Sequence, residues 1–288
     1  MIPINSLSSA SLSSPGHIFI DKVFLEIFPS RGMTIRSTQI ELSHQMLDAL
    51  CGRKIALCEA GVGIGKTYAY LVAAMAHHLF NPDDFMVRTS QTFYGGFSVR
   101  TPMPIIITTS SIELQKAIMN EYLPFLSKVL VKAGMIKDPI CAVVRKGKSH
   151  FICEDNLERH ISMINSQRKN KKQMAQLLSL RAGSPDLDPI TGISSFDRRA
   201  IQVNNRCSKT CKYYLICRYQ NYIREACSTQ ITFQICNHNY FLADLLQRKQ
   251  GNKPLLPNHQ IRYKTLLSNF LRYGIDGTTK TYHVNIII

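Results

Sequence analysis

No run of eighteen or more apolar residues occurs in this 288-residue chain, so a membrane-spanning helix is not expected. The N-terminus lacks the basic start and long apolar stretch of a secretory signal; Met1 to Gly16 is rich in Ser and Pro and predicts a loose arm. Acidic residues are scarce: 19 Asp and Glu stand against 35 Lys and Arg, a formal charge of +16. That excess points to a polyanionic partner, nucleic acid being the commonest. Charged residues make up only 19% and hydrophobic ones 45%, which excludes wholesale disorder and a fibrous protein. The length suits one large domain or two small ones. No internal repeat is present. Nine cysteines are too few for a small disulfide scaffold. With no secretory signal they imply a reducing compartment, the cytoplasm, where metal ligation or buried thiols are the usual roles.

Periodicity sets out the architecture. Leu42, Met46, Leu47 and Leu50 form a helical stripe over Gln39 to Leu50. Lys54 to Glu59 reads as a short buried strand and is followed by a glycine-rich turn. Lys66 to Phe80, free of internal Gly and Pro, reads as a helix. After a polar connection with a hairpin expected around Gly95-Gly96, the β-branched run Ile105 to Thr109 predicts a central strand. Ser110 or Ser111 would cap a helix running toward Tyr122. Ala142 to Val144 is a third short strand, and sheet-like patterning returns at Ile231 to Cys236. Strand, glycine turn, helix, strand, helix is the rhythm of a mostly parallel α/β sheet. Residues 145–228 break it and predict an insertion with its own organisation.

Gly61-Val62-Gly63-Ile64-Gly65-Lys66-Thr67 ends in the Gly-Lys-Thr of a phosphate loop, with its first glycine one place later than the usual Walker A spacing. Glycines let successive N–H groups close around phosphate oxygens without Cβ clashes. The following helix adds its positive end. Lys66 would reach the β- and γ-phosphates of ATP, and the Thr67 hydroxyl would hold Mg²⁺. A glycine-rich turn without ligand is the bland alternative. Flanking Glu59 and the upstream Arg36-Ser37-Thr38-Gln39 also fit a nucleotide site.

Cys207-x3-Cys211-x5-Cys217 is compact, and Cys153 lies upstream. Four such thiolates can enclose a [4Fe–4S] cluster or a tetrahedral Zn²⁺; the lack of the short CxxC pair tips the reading toward iron–sulfur. Cys227, expected on a helix, and Cys236, in an apolar strand, compete for the role. Cys51, Cys58 and Cys141 read as core thiols, and nine plain reduced side chains remain the alternative. Between Arg145 and Arg181 nine basic residues meet three acidic ones. Between Arg198 and Arg224 seven basic residues meet none, with Tyr213, Tyr214, Tyr219 and Tyr222 interleaved. Such a stretch either tracks a phosphate backbone and stacks on unpaired bases, or is a solvated face with ordinary core tyrosines.

As an ordered set over roughly residues 20–257, these segments resemble the amino-terminal part of the DinG/XPD/Rad3-like iron–sulfur superfamily 2 DNA helicases. Arg36 and Gln39 match the family's adenine-sensing Q-like motif. Glu59 to Thr67 resembles its phosphate loop, with Val62 and Ile64 in place of two threonines. Ile106 to Thr109 through Leu114-Gln115 resembles the motif that touches single-stranded DNA. Arg145 to Ser149 leading to Cys153 resembles the approach to the first cluster cysteine, and Cys207, Cys211 and Cys217 match the other three. Arg224, Asn237 to Tyr240 and Leu255-Leu256-Pro257 match the run after the cluster.

The resemblance implies a RecA-like ATP-binding domain over residues 17–144 and 229–257, an iron–sulfur and DNA-binding insertion over 145–228, and an atypical tail over 258–288. ATP would bind through Arg36, Gln39, Gly61, Gly63, Gly65, Lys66 and Thr67, the last two being catalytic. DNA, single-stranded or forked, would meet Thr108, Thr109, Lys148, Asn237 and His238. The implied activity is ATP-driven 5′ to 3′ translocation. One departure stands out: the family's Asp-Glu-Ala-His box should follow Leu255-Leu256-Pro257, yet the chain continues Asn258-His259-Gln260-Ile261. Asp244 is a poor substitute because its neighbours read as helix. The second motor domain is also missing, so the expectation is an incomplete chain that binds ATP and DNA but hydrolyses poorly alone, or one whose missing half comes from a second chain. A non-catalytic DNA-binding metal-cluster module is the alternative. Val284 to Ile288 reads as an unfinished edge strand.

Overall fold

A computed structural model of the chain describes residues 14–53, 58, 61, 63–90, 98–167, 171–204, 207–256 and 286–287. Its contacts divide it into two compact units, residues 1–144 with 229–288, and residues 145–228.

In the first unit, the α/β unit, β3 (Ile105–Thr109) lies beside β5 (Phe233–Asn237) in parallel register, Ile105 opposite Phe233 and Thr109 opposite Asn237. β4 (Ala142–Arg145) flanks β5, and the short β6 (Ile286–Ile287) pairs antiparallel with β3, giving the order β4-β5-β3-β6. β1 (Met86–Ser90) and β2 (Ser98–Pro102) form a separate antiparallel pair across the Gly95-Gly96 connection, which lies outside the described residues. Side chains of a strand alternate between faces. Ile105, Ile107, Phe233 and Ile235 accordingly join one core, whereas Ile106 and Cys236 join another with Phe241, Leu245 and Leu256. Helices therefore cover both faces, which is why β3 is apolar and β-branched without polar alternation.

The larger core is built on α3 (Lys66–Phe80), whose stretch Ala69 to Ala76 is entirely buried. Phe19 and Ile20 of α1 (Pro15–Lys22), Leu47 of α2 (Ser37–Cys51), and Leu126 and Leu130 of α5 (Leu123–Lys132) close around it. Ser43 donates to the carbonyl of Ala69 at 2.9 Å and fixes α2 against α3. The N-terminal arm is shorter than expected: Ser14 already caps α1, and residues 1–13 lie outside the description. The helix after β3 runs on past Tyr122. α4 (Ile112–Ala117), capped by Ser111, passes through a wider turn at Ile118–Tyr122 into α5, because Leu123, Leu126 and Leu130 continue the apolar stripe. The strand expected at Lys54 to Glu59 falls on undescribed residues except Cys58, as do residues 257–285 of the tail.

Asp244 lies on α10 (His238–Lys249), wholly buried. It accepts hydrogen bonds from the amides of Leu255 and Leu256 at 2.7 and 2.8 Å and from Arg248 at 2.7 Å. These contacts commit it to holding the chain after α10, so it is not a metal carboxylate.

The second unit, residues 145–228, is helical: α6 (Glu154–Gln167), α7 (Lys171–Ser179), α8 (Ser195–Ile201) and α9 (Arg218–Ala226). Ile152, Leu157, Ile161, Leu177, Leu187 and Ile201 form its core. A buried polar network ties α6, α7 and α8 together. Burial pushes the Asp197 carboxyl up, but Ser194 at 2.6 Å, the His160 ring at 2.7 Å and Gln173 at 2.9 Å outweigh it and hold the group below the usual carboxylate range. Among the described residues, no helix is long and apolar enough to cross a membrane.

Candidate functional site

Each unit holds one cluster of the sequence-predicted residues. In the α/β unit, Gly63 and Gly65 adopt φ of +86° and +89°, backbone that residues bearing a Cβ rarely take. These two left-handed residues turn the chain into α3, whose first two residues are Lys66 and Thr67. Three side chains donate to carbonyls of the alternating glycines. Lys66 Nζ meets Gly61 O at 3.0 Å, Arg36 meets Gly63 O at 2.6 Å, and Gln39 Nε2 meets Gly65 O at 2.7 Å. Gln39 is buried on the first turn of α2, and Arg36 is the exposed residue before that helix. The turn thus brings together Arg36, Gln39, Gly61, Gly63, Gly65 and Lys66 from two segments. Glu59 and Val62 lie outside the described residues. Chemically, it offers helix-start amides and an ammonium group to an anion.

The residues expected to touch DNA are placed differently from one another. Thr108 and Thr109 are fully buried, because β3 is covered on both faces. The Thr109 hydroxyl accepts from the Ser111 amide at 3.2 Å, and the Thr108 hydroxyl is buried without a partner. The exposed residues here are Ser110 and Ile112 instead. Asn237 spends its side chain capping α10, accepting from Tyr240 N at 2.7 Å, and His238 is the first residue of that helix.

In the helical unit, Cys153, Cys207, Cys211 and Cys217 line one cavity of about 20 Å³, together with Tyr213, Tyr214, Tyr219 and Gln220. Cys153 sits immediately before α6, and Cys217 is the cap residue of α9, so two of the four cysteines stand at helix N-termini. Burial, and the crowding of Cys207, Cys217 and Cys211, push the Cys153 thiol up. Gln220 Nε2 lies 3.3 Å from the Cys207 sulfur. Its place three residues after Cys217, on the same helix face, is the signal by which the sequence could have pointed to it. Among the described residues, no three His, Cys, Asp or Glu side chains are set to hold a single metal ion.

The other cysteines divide differently from expectation. Cys236 is buried in β5 as expected, but Cys51, Cys58 and Cys141 are exposed rather than core thiols. Cys51 ends α2, and Cys141 precedes β4, where the chain reaches the surface. Cys227, at the C-terminus of α9, is exposed and receives the Arg145 guanidinium at 3.8 Å.

The basic excess of the helical unit is partly consumed inside it. Lys146 is gripped by Asp186 at 2.6 Å and Asp188 at 2.8 Å; burial opposes its charge, but the two carboxylates raise it above the ordinary lysine range. Arg218 forks onto Glu154, Arg181 onto Glu158, and Arg198 onto the carbonyls of Leu187 and Ile190. Lys148, Lys171, Arg199 and Lys209 are exposed. Tyr219 is buried, and Tyr213 and Tyr222 pack on the same core, Tyr222 lying 4.6 Å from the Phe151 ring. Tyr219, Tyr213 and Tyr222 therefore belong to this core, and Tyr214 is half-buried beside the cysteine cavity.

The chain thus has an α/β unit with a glycine turn at the head of a helix, and a helical unit in which four cysteines line one cavity. No protein-family model matches the chain. It is 23% identical over 248 residues to the ATP-dependent DNA helicase YoaA of Haemophilus influenzae, covering 80% of this chain and 32% of that protein. With the YoaA of Escherichia coli it shares 26% over 242 residues, 81% of this chain and 31% of the relative. With the 3′-5′ exonuclease DinG of Bacillus subtilis it shares 29% over 133 residues, 46% of this chain and 11% of the relative. The chain is thus similar to proteins named as ATP-dependent DNA helicases and as DinG. It spans about a third of the length of the two YoaA proteins.

Proposed function

We propose that this chain carries the ATP-binding and DNA-binding part of a DinG-like 5′ to 3′ DNA helicase. The observation that carries the reading is the left-handed turn at Gly63 and Gly65, which delivers Lys66 and Thr67 to the start of α3. In that place Lys66 exchanges the Gly61 carbonyl for the β- and γ-phosphates of ATP, and the Thr67 hydroxyl is a ligand for Mg²⁺. Residues 1–288 contain no Asp-Glu pair to fix the metal and orient water. Turnover by residues 1–288 alone is therefore expected near background.

The helical unit supports a [4Fe–4S] cluster on Cys153, Cys207, Cys211 and Cys217. All four thiols line one cavity, and four thiolates are the ligand set of such a cluster; the lack of a short CxxC pair weighs against a structural Zn²⁺. The cavity as it stands would have to widen on loading. Lys148, with the other exposed basic residues of this unit, is placed to meet the phosphates of single-stranded or forked DNA.

Titration of the full chain with Mg²⁺-ATP and with a fluorescent single strand tests this reading. Micromolar to millimolar ATP binding that Lys66→Ala abolishes supports it. Equal affinity in wild type and Lys66→Ala refutes the loop assignment. DNA-stimulated hydrolysis would show that the enzyme reading holds for the lone chain, whereas DNA binding without ATP binding would leave the non-catalytic module.

A further inference from the structure

Arg36 and Gln39 resemble residues that sense adenine, but in this structure their polar ends lie on the backbone of the glycine turn, at 2.6 Å from Gly63 O and 2.7 Å from Gly65 O. The chain has no cis peptide among its described residues. In a trans peptide the C=O and the following N–H point in opposite directions. A donor that captures Gly63 O therefore turns the amide of Ile64 away from α2, and a donor on Gly65 O does the same for the amide of Lys66. Gly65 O also accepts the first helical bond of α3 from Ala69 N at 3.2 Å, so its peptide plane is held from two sides. The buried Gln39 is 26 residues from its partner in sequence and can reach it only because Ser43, one turn further along α2, is pinned to α3.

We infer that Arg36 and Gln39 are positioning residues for phosphate binding: they set the peptide planes of the turn, and their effect on affinity is independent of the base. This rests on the nucleotide-binding reading above and goes beyond it, since a base-sensing pair would act only when adenine is present. Holding amides in place before the ligand arrives removes ordering that binding would otherwise have to impose.

The test compares Mg²⁺-ATP, Mg²⁺-GTP and inorganic tripolyphosphate, which has no base, on the full-length chain by calorimetry, well below the melting temperature. Gln39→Ala is expected to weaken all three by a similar factor, about five- to tenfold for one lost hydrogen bond. Gln39→Glu, of the same shape but with no donor when ionised, should do likewise and covers the case in which Gln39→Ala fails to fold. Arg36→Ala should show a smaller uniform loss, and Arg36→Lys, which keeps a donor, should recover part of it. A loss confined to ATP, with tripolyphosphate unchanged, overturns the inference while leaving the phosphate loop intact, and so does no loss for any ligand. Wild-type chain that binds none of the three overturns the loop reading and this inference with it.

Discussion

Gly63 and Gly65 have nearly the same φ but different surroundings, so alanine at each position separates backbone strain from loss of the Gln39 contact. A Cβ at Gly63 meets nothing within 4 Å, whereas one at Gly65 would collide with the Gln39 amide nitrogen. Gly63→Ala therefore meets only the left-handed penalty, about 1–2 kcal/mol. If the free variant relaxes out of this shape and ligand binding must restore it, that corresponds to a loss of Mg²⁺-ATP affinity of about five- to thirtyfold. Gly65→Ala meets the same penalty and also expels Gln39 from Gly65 O. The side chain is flexible enough to move aside, so the extra cost is the hydrogen bond, about 1 kcal/mol or a further fivefold. The assay is calorimetric titration of wild type, both single variants, and Gly65→Ala combined with Gln39→Ala. In the combined variant the contact is already gone, so the two losses should add to less than their sum. Equal losses at Gly63 and Gly65, or full additivity with Gln39→Ala, would refute the geometry argued for the turn.

Four further outcomes follow from the helical unit. Cys207→Ser or Cys217→Ser should remove the brown colour, iron and labile sulfide of aerobically protected protein, whereas Cys236→Ser should not; a colourless wild type rich in zinc would replace the cluster with the other metal. Lys148→Ala should lower the slope of log affinity for single-stranded DNA against log salt by about 0.7, the value for one phosphate contact. Lys146→Ala should mainly lower the melting temperature, because it leaves Asp186 and Asp188 facing each other without their cation. Asp197 has a lowered folded-state pKa, so its contribution to stability is complete above its unfolded value, about pH 4, and disappears as acid takes the solution through the lowered one. Asp197→Asn should therefore melt lower than wild type at pH 7, and the difference should shrink as the pH falls below about 4 in thermal scans; a constant difference would contradict the assignment.

Much of this molecule is local in origin and could be read along the chain. α3 follows from an uninterrupted helical run, and β3 from a β-branched quintet. The left-handed residues of the turn, Gly63 and Gly65, fall on glycines because glycine takes that conformation with the least strain. The convergence of Cys153 with three cysteines more than fifty residues later was also readable as a pattern of residue types, though not as a cavity.

Contacts between distant segments were a different matter. Nothing in the order of residues 36–39 says that their side chains end on Gly63 and Gly65 carbonyls, because that depends on how α2 is laid against α3. The burial of Thr108 and Thr109 likewise depends on helices covering both faces of the sheet, and a β-branched threonine suits a buried strand as well as a DNA-facing loop. Charge counting overstated the basic surface, since Lys146, Arg181 and Arg218 find carboxylates 23 to 64 residues away. Backbone preference and residue chemistry act over a few neighbours and are written into the sequence directly. Which donor meets which acceptor is settled only when packing brings remote segments within about 3 Å of each other.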